Sequence, residues 1–150
     1  MPDDNTARHA LPNLYVGQAQ KEITHNEALA RIDALLHPVV EDSSTAPIEG
    51  LTVNSDGLCW LISNASTGLW SGRSGQIARW SGGSWRYLSP VAGMTIWNAS
   101  GNKRLFYIDN AWVEPAAIIN PDGGTTIDAQ ARTVINAVLA HLRLISSLPM

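Results

Sequence analysis

Acidic residues are missing from the middle of this 150-residue chain. No Asp or Glu occurs between residues 57 and 108, where five basic residues lie, whereas residues 1–56 carry nine carboxylates against three basic residues. Hydrolysis of a glycosidic bond needs two carboxylates that converge on it, and the central region supplies no such pair. This argues against a lytic or depolymerising domain. The basic middle fits complementary subunits or an anionic partner, although scattered, solvated charges would give the same pattern.

The sequence motifs of common catalytic and metal sites are also absent. Cys59 is the only cysteine, which excludes an intramolecular disulfide, and its apolar neighbours are typical of a buried thiol. The four histidines are dispersed, with no HExxH or CxxC spacing for zinc. There is no GxSxG nucleophile turn and no glycine-rich phosphate loop. We therefore predict a protein that is not an enzyme and needs no metal or cofactor.

No apolar run approaches the ~20 residues that a membrane-spanning helix needs. The N-terminus is acidic and lacks the basic and apolar regions of a signal peptide. We expect no membrane insertion and no nucleic-acid partner.

The segments that are present predict five regions. Prolines flank an extended beginning, a helical pattern follows it, and Pro38 ends that helix. A run rich in Pro, Ser and Thr reads as a linker, and NPDGG separates the central region from a last helix. The predicted boundaries are an extended arm at 1–16, a helix at 17–37, a linker at 38–49, a tryptophan-rich β domain at 50–119 and a C-terminal helix at 120–150.

Short apolar runs separated by Gly, Ser and Asn dominate the central region, which holds all six tryptophans. Strands that recur every 8–12 residues with turns between them predict an antiparallel meander or sandwich. The candidate strands are Leu51–Asn54, Leu58–Ser63, Gly68–Ser71, Gln76–Trp80, Trp85–Leu88, Thr95–Trp97, Arg104–Ile108 and Ala111–Val113. We predict an α+β fold with an N-terminal arm and helix, a sandwich-like domain of seven to eight short strands, and a C-terminal helix.

The first helix carries polar side chains where a second apolar row would be expected. Such side chains are most often solvated. Alternatively, they form a polar seam that pairs with copies of the chain or with a neighbouring protein, where buried amides and charges set the register. The residues of this candidate assembly interface are Gln18, Lys21, Glu22, His25 and Asn26.

The C-terminal helix has apolar residues at 131, 134, 138, 142 and 145, a spacing close to a heptad pattern. Packing on the β domain or on the first helix would use the same face. If the helix instead assembles with copies of itself, Val134, Val138 and Leu142 form the interface.

Tryptophans beside glycine loops and arginines are typical of surfaces that bind sugars, and the arginines would suit an anionic polysaccharide. The alternative is that they fill the core, because Phe106 is the only phenylalanine. The candidate glycan-binding residues are Trp70, Arg73, Trp80, Trp85 and Arg86.

The run LPNLYVGQAQKEITHNEALARIDALLHPVV, from Leu11 to Val40, closely resembles the opening of the domain of unknown function 2793 family, with residues 17–29 as its signature. Members occur in tailed bacteriophages, prophages and gene-transfer-agent particles. The resemblance implies a structural protein of the virion, such as a tail, spike or fibre component made in the bacterial cytoplasm. It leads us to expect a homo-oligomer, favoured as a trimer, that contacts other particle proteins and contributes to host attachment. A carbohydrate-binding receptor module for an anionic envelope polysaccharide is the alternative.

Overall fold

A computed structural model describes residues 5–15, 17, 21–124 and 128–144. Within these ranges the predicted α+β class is confirmed, with two α-helices and eight strands. Neither helix there is long and apolar enough to cross a membrane. The elements are α1 (Lys21–Leu36), β1 (Val39–Val40), β2 (Ser43–Ser44), β3 (Cys59–Ile62), β4 (Ile77–Ser81), β5 (Ser84–Leu88), β6 (Thr95–Asn98), β7 (Lys103–Ile108), β8 (Ala111–Val113) and α2 (Ala129–Leu144).

The strands form two four-stranded sheets, in the orders β1-β6-β7-β8 and β2-β3-β4-β5. Three strands of each sheet form the predicted antiparallel meander. The fourth is a two-residue edge strand that pairs in parallel, β1 with β6 and β2 with β3. Both edge strands come from residues 38–49, so the segment whose composition suggested a linker ties the two sheets together.

Tight turns of the predicted kind connect the strands. Trp80 pairs with Trp85 across the β4–β5 turn, where Gly82 and Gly83 have φ of +56° and +77°. Positive φ at both central positions is the two-residue turn that matches the twist of the strands. Asp109 and Asn110, at φ of +50° and +62°, make the corresponding turn between β7 and β8.

Two candidate strands are wrong. The first, Leu51–Asn54, overlaps a 3₁₀ turn at Val53–Ser55, because the Thr52 hydroxyl accepts a hydrogen bond from the Asn54 amide and the Thr52 amide donates to the Ser55 hydroxyl. Such local bonds compete with a strand ladder. The second, Gly68–Ser71, is a 3₁₀ turn at Gly68–Trp70 that opens at a φ of +58°, outside the strand region.

The core lies on both faces of the second sheet, following the two-residue period of its strands. One face contributes Leu61 and Ile77 to a cluster that also holds side chains of the first sheet and Ala34 of α1. The other face contributes Trp60 and Ala78 to a tryptophan-rich cluster. The first cluster makes the domain sandwich-like and fixes α1 against it.

The described part of the N-terminal arm turns back on itself, which corrects the extended arm predicted for residues 1–16. Asn5 and Pro12 form an isolated antiparallel bridge, and the Thr6 amide donates to the Leu11 carbonyl at 2.8 Å. Ala10 lies in the turn at a φ of +51°. The arm therefore docks on its own chain as a small loop.

Candidate functional site

Asp33 of α1 is fully buried and anchors the arm. Its carboxylate accepts hydrogen bonds from the Thr6 hydroxyl at 2.8 Å, the Arg8 amide at 3.0 Å and the His9 amide at 2.8 Å. Burial by itself raises the pKa of this carboxyl, but the bonds from Thr6, His9 and Arg8 outweigh it and hold the pKa below its usual value. At neutral pH the carboxylate is therefore ionised while the arm is docked.

The Arg8 side chain extends this attachment to the β domain. Its guanidinium donates to the backbone carbonyls of Gly57 at 3.2 Å, His37 at 3.2 Å and Val39 at 2.8 Å. Arginine is suited to this role because its planar group presents several donors at fixed angles. One side chain therefore joins the arm, the end of α1, the first edge strand and the loop before β3.

The predicted polar seam on α1 does not form one continuous row in the described residues. Asn26 exchanges two hydrogen bonds with the backbone of Leu14, at 2.9 and 3.0 Å, so its amide holds the arm of the same chain. Glu22 is buried, whereas Lys21 and His25 are exposed. Gln18 lies outside the described residues. Among the seam residues that the structure describes, Lys21 and His25 are therefore the two whose side chains are exposed.

A cleft of about 870 Å³ lies between the arm, α1 and the β4–β5 hairpin. Its volume is within the range of pockets that hold small ligands. α1 contributes Glu27 and Arg31 to its lining, and the hairpin contributes Arg79, Trp80 and Arg86. Short stretches at residues 5–7 and 51–53 complete the sides.

Arg79 and Arg86 are direct cross-strand partners in this cleft. Arg79 is only 3% exposed, and its Nη2 atom lies 4.0 Å from Asp56 Oδ2. The other oxygen of Asp56 accepts a hydrogen bond from the Gly82 amide at 2.8 Å. Cys59 is the partner of Arg79 on the other side, and burial raises the pKa of its thiol although Arg8 and Arg79 lower it.

The structure separates the five candidate glycan-binding residues. Trp70 is 0% exposed, and its ring meets Trp85 edge-on at 5.0 Å between centroids. Trp85 makes similar contacts with Trp60 and Trp80 at 5.6 and 5.1 Å. These four rings form one cluster, which stabilises the outer face of the second sheet.

Of the five, Trp80 and Arg86 line the cleft, and Trp70, Trp85 and Arg73 are not part of its lining. Arg73 lies over the ring of Tyr87, 3.9 Å from the centroid. Arg79 was not among the candidates, although the sequence held a signal for it. A turn centred on Gly82–Gly83 requires that Arg79 face Arg86.

The second candidate surface is on α2, whose observed extent lies inside the predicted segment. The side of α2 with Arg132, Leu139 and Arg143 is held to the chain that precedes it. Arg143 donates to the Ile118 carbonyl at 2.6 Å and to Asn120 Oδ1 at 3.0 Å, and Arg132 donates to the Gly123 carbonyl.

The apolar row of α2 stays in solvent. Val134, Ile135 and Val138 are 62%, 47% and 51% exposed, and Leu142 is half-buried. Ile118 and Ile119 of the preceding segment add further exposed apolar surface. A stripe of branched apolar side chains in water is unfavourable in a monomer and typical of an interaction surface.

No group of three or more potential metal ligands comes together among the residues that the structure describes.

The sequence pattern of the family described as Protein of unknown function (DUF2793) matches residues 25–113, which is more than half of the chain. The chain belongs to the DUF2793 family. The predicted membership is thereby confirmed. No curated protein matches the chain.

The DUF2793 match begins inside α1 and ends with β8. It includes Asn26, Glu27, Ala30 and Arg31 of α1 and the parts of the 51–56 loop and the β4–β5 hairpin that line the cleft, but not Ile23. It leaves out the arm and α2. Only residues 25–29 of the signature segment fall within it.

Proposed function

We propose that this chain is a structural subunit of a phage or gene-transfer-agent-like particle, a tail, spike or fibre protein that assembles with copies of itself through α2. The observation that carries the proposal is the apolar row of Val134, Ile135 and Val138 left in solvent. Complete burial of a Val or Ile side chain contributes about 1.5–3 kcal/mol, so the same row from several chains supplies a substantial driving force.

A second and third copy of this chain are the occupants that the row fits best. Its spacing is close to the heptad pattern by which identical helices pack side by side. The polar anchors of α2, Arg132 and Arg143, lie on the opposite side and leave the row free to meet its symmetry mates. We propose a trimer, in which Val134 and Val138 of three helices face one axis.

The particle assignment is supported by the resemblance of Leu11–Val40 to proteins of tailed phages, prophages and gene-transfer agents. Low charge supports it as well, since only 15% of residues are Asp, Glu, Lys or Arg, below the usual quarter. A subunit whose surface is covered by neighbours needs fewer charges for solubility than a free monomer does. Contribution to host attachment is part of the same proposal.

Light scattering after size exclusion tests the assembly of the full chain. We expect a trimer mass for the wild type and a monomer mass for Val134→Glu and Val138→Glu, because a carboxylate buried in the interface is unfavourable. Ala140→Glu is the matched control, since Ala140 is exposed and lies more than half a turn from Val138. A wild type that stays monomeric at tens of micromolar, or a Val138→Glu trimer, would contradict the proposal.

Charge reversal on α1 tests whether the remaining seam residues contribute. Lys21→Glu changes an exposed side chain, so weaker assembly in that variant reports on contacts between molecules. Glu22→Lys is less informative because Glu22 is buried in its own chain. Unimpaired assembly of Lys21→Glu would count against a contribution of the polar seam.

The second candidate function is that of a carbohydrate-binding receptor module for an anionic envelope polysaccharide. The observation that favours it is that Trp80 and Arg86 line one cleft. We expect binding of the purified full chain to host envelope glycans to be lost in Trp80→Ala. Trp97→Ala, which removes a half-buried tryptophan of the other sheet, is the control for an unspecific loss. Equal binding by both variants would count against this function.

A further inference from the structure

Arg79 and Arg86 stand directly opposite each other on β4 and β5. Opposite residues of an antiparallel pair point to the same face, and like charges in this position are destabilising. Both side chains line the cleft. An anion placed between them would convert this repulsion into attraction.

Arg79 is desolvated and incompletely paired. It is 3% exposed, and its Nε finds no hydrogen-bond partner among the described residues. Among the described residues, its ion pair is with Asp56, and the distance of 4.0 Å between Nη2 and Oδ2 is long. A buried guanidinium with unused donors is costly on its own and binds a carboxylate strongly, because the local dielectric is low.

The other charges of the cleft leave it positive. Glu27 and Arg31 lie four residues apart on α1, an arrangement in which opposite charges offset each other. Asp56 offsets Arg79 in part and is also engaged by the Gly82 amide. Arg86, which is exposed, is the positive charge left without a carboxylate beside it in the described lining.

The tryptophan beside this pair lies on the other face of the sheet. Successive side chains of a strand alternate between faces, so Trp80, next to Arg79, packs its ring against Trp85 in the outer cluster. Its indole is held there by a hydrogen bond from Nε1 to the Thr52 carbonyl at 3.3 Å. The charged group of a ligand is therefore left to the two guanidinium groups. Guanidinium groups bind carboxylates through two parallel hydrogen bonds, which adds geometric selectivity.

We propose that the cleft binds a sugar that carries a carboxylate, with Arg79 and Arg86 holding the carboxylate. The inference rests on the second proposed function, carbohydrate binding, and specifies its ligand. It is independent of whether α2 forms a trimer.

Calorimetric titration of the full chain tests the site, with trigalacturonate as the probe and its fully methyl-esterified form as the neutral match. We expect trigalacturonate to bind at least tenfold more tightly than the ester, and the preference to shrink as salt rises. Arg86→Ala, at an exposed position, should lose at least tenfold in affinity. Arg104→Ala removes an exposed arginine of the other sheet and should bind as the wild type does.

The inference about the arginine pair and the proposed carbohydrate binding can fail separately. Equal binding of the acid and the ester, unchanged in Arg86→Ala, would leave carbohydrate binding standing and overturn the role of the arginine pair. Absence of binding by both sugars at millimolar concentration would overturn the inference, and carbohydrate binding would stand only if the same protein binds host envelope glycans. A short polyglutamate peptide or inorganic phosphate that binds as tightly as trigalacturonate would overturn the assignment to a sugar.

Discussion

The Thr6 hydroxyl donates a hydrogen bond to Asp33 across 2.8 Å, joining residues 27 positions apart. The amides of Arg8 and His9 donate to the same carboxylate, which is fully buried. The arm is therefore held by an ionised group inside its own chain. This relationship makes docking of the arm sensitive to acid.

We expect Asp33→Asn to destabilise the protein at pH 7 by about 1–3 kcal/mol, since hydrogen bonds to a charged group are lost and an amide donor faces other donors. The folded pKa of Asp33 is lowered. The stabilisation is therefore present above the unfolded pKa of about 4 and is lost as pH falls through the folded value. The difference in unfolding free energy between the wild type and Asp33→Asn, measured by urea unfolding, should narrow in acid.

The control for this prediction is Asp109→Asn, which changes an exposed carboxyl in a turn whose positive φ asparagine also adopts. It should leave stability nearly unchanged across the same pH range. Equal stability of Asp33→Asn and the wild type at pH 7 would mean that the arm is not held by this carboxylate.

Gly57 is the close contact between the loop before β3 and the arm. A Cβ at this position would lie 2.6 Å from the Cβ of Ala7, and its φ is +83°. Gly93 has nearly the same φ, +82°, with nothing within 4 Å of the corresponding Cβ. We expect Gly93→Ala to lower the unfolding free energy by about 1 kcal/mol or more, because of backbone strain alone. Gly57→Ala should lower it further, because the new Cβ also meets Ala7.

The double variant Ala7→Gly, Gly57→Ala isolates the clash, because it removes the atom that the new Cβ meets. Its unfolding free energy should return towards that of Gly93→Ala, giving a coupling between the two sites in a double-mutant cycle. Additive effects would show that the arm does not pack against Gly57 in solution.

Trp70 and Leu69 are neighbours in one 3₁₀ turn with opposite environments, 0% and 71% exposed. We expect Trp70→Ala to destabilise the protein by about 3–5 kcal/mol, because it opens a cavity among four tryptophan rings. Leu69→Ala should change stability by about 0.5 kcal/mol or less. Similar losses in the two variants, measured by urea unfolding, would contradict the observed packing of this turn.

Truncation separates the β domain from its helices. The isolated segment 50–119 should fail to fold, because it lacks both parallel edge strands and Val40, which is 0% exposed in the main core. A chain that ends at residue 117 should fold as a monomer, since it keeps the arm, α1 and both sheets but loses α2. Dispersed amide resonances of the 50–119 fragment would refute the first expectation, and a trimeric 1–117 chain the second.

The elements that local chemistry controls could be read from the sequence. Short apolar runs marked β3, β4 and β7, and Gly82–Gly83 and Asp109–Asn110 marked two of the turns, because positive φ is available to few residue types. The same reasoning failed at residues 51–54 and 68–71, where apolar side chains sit in 3₁₀ turns. There, a hydroxyl cap and a glycine at positive φ outweighed the propensity of the apolar residues for strands.

By itself, the sequence determined the class of the fold, the order of its helices and meander strands, and the register that sets Arg79 against Arg86. Only the tertiary structure decided that residues 39–44 close both sheets, that the arm docks on Asp33, and that α1 encloses the cleft. Two-residue strands have no periodicity to detect, and the partners of a buried carboxylate lie far away in the chain. Contacts of that range are selected by the packing of the whole domain, which no local pattern encodes.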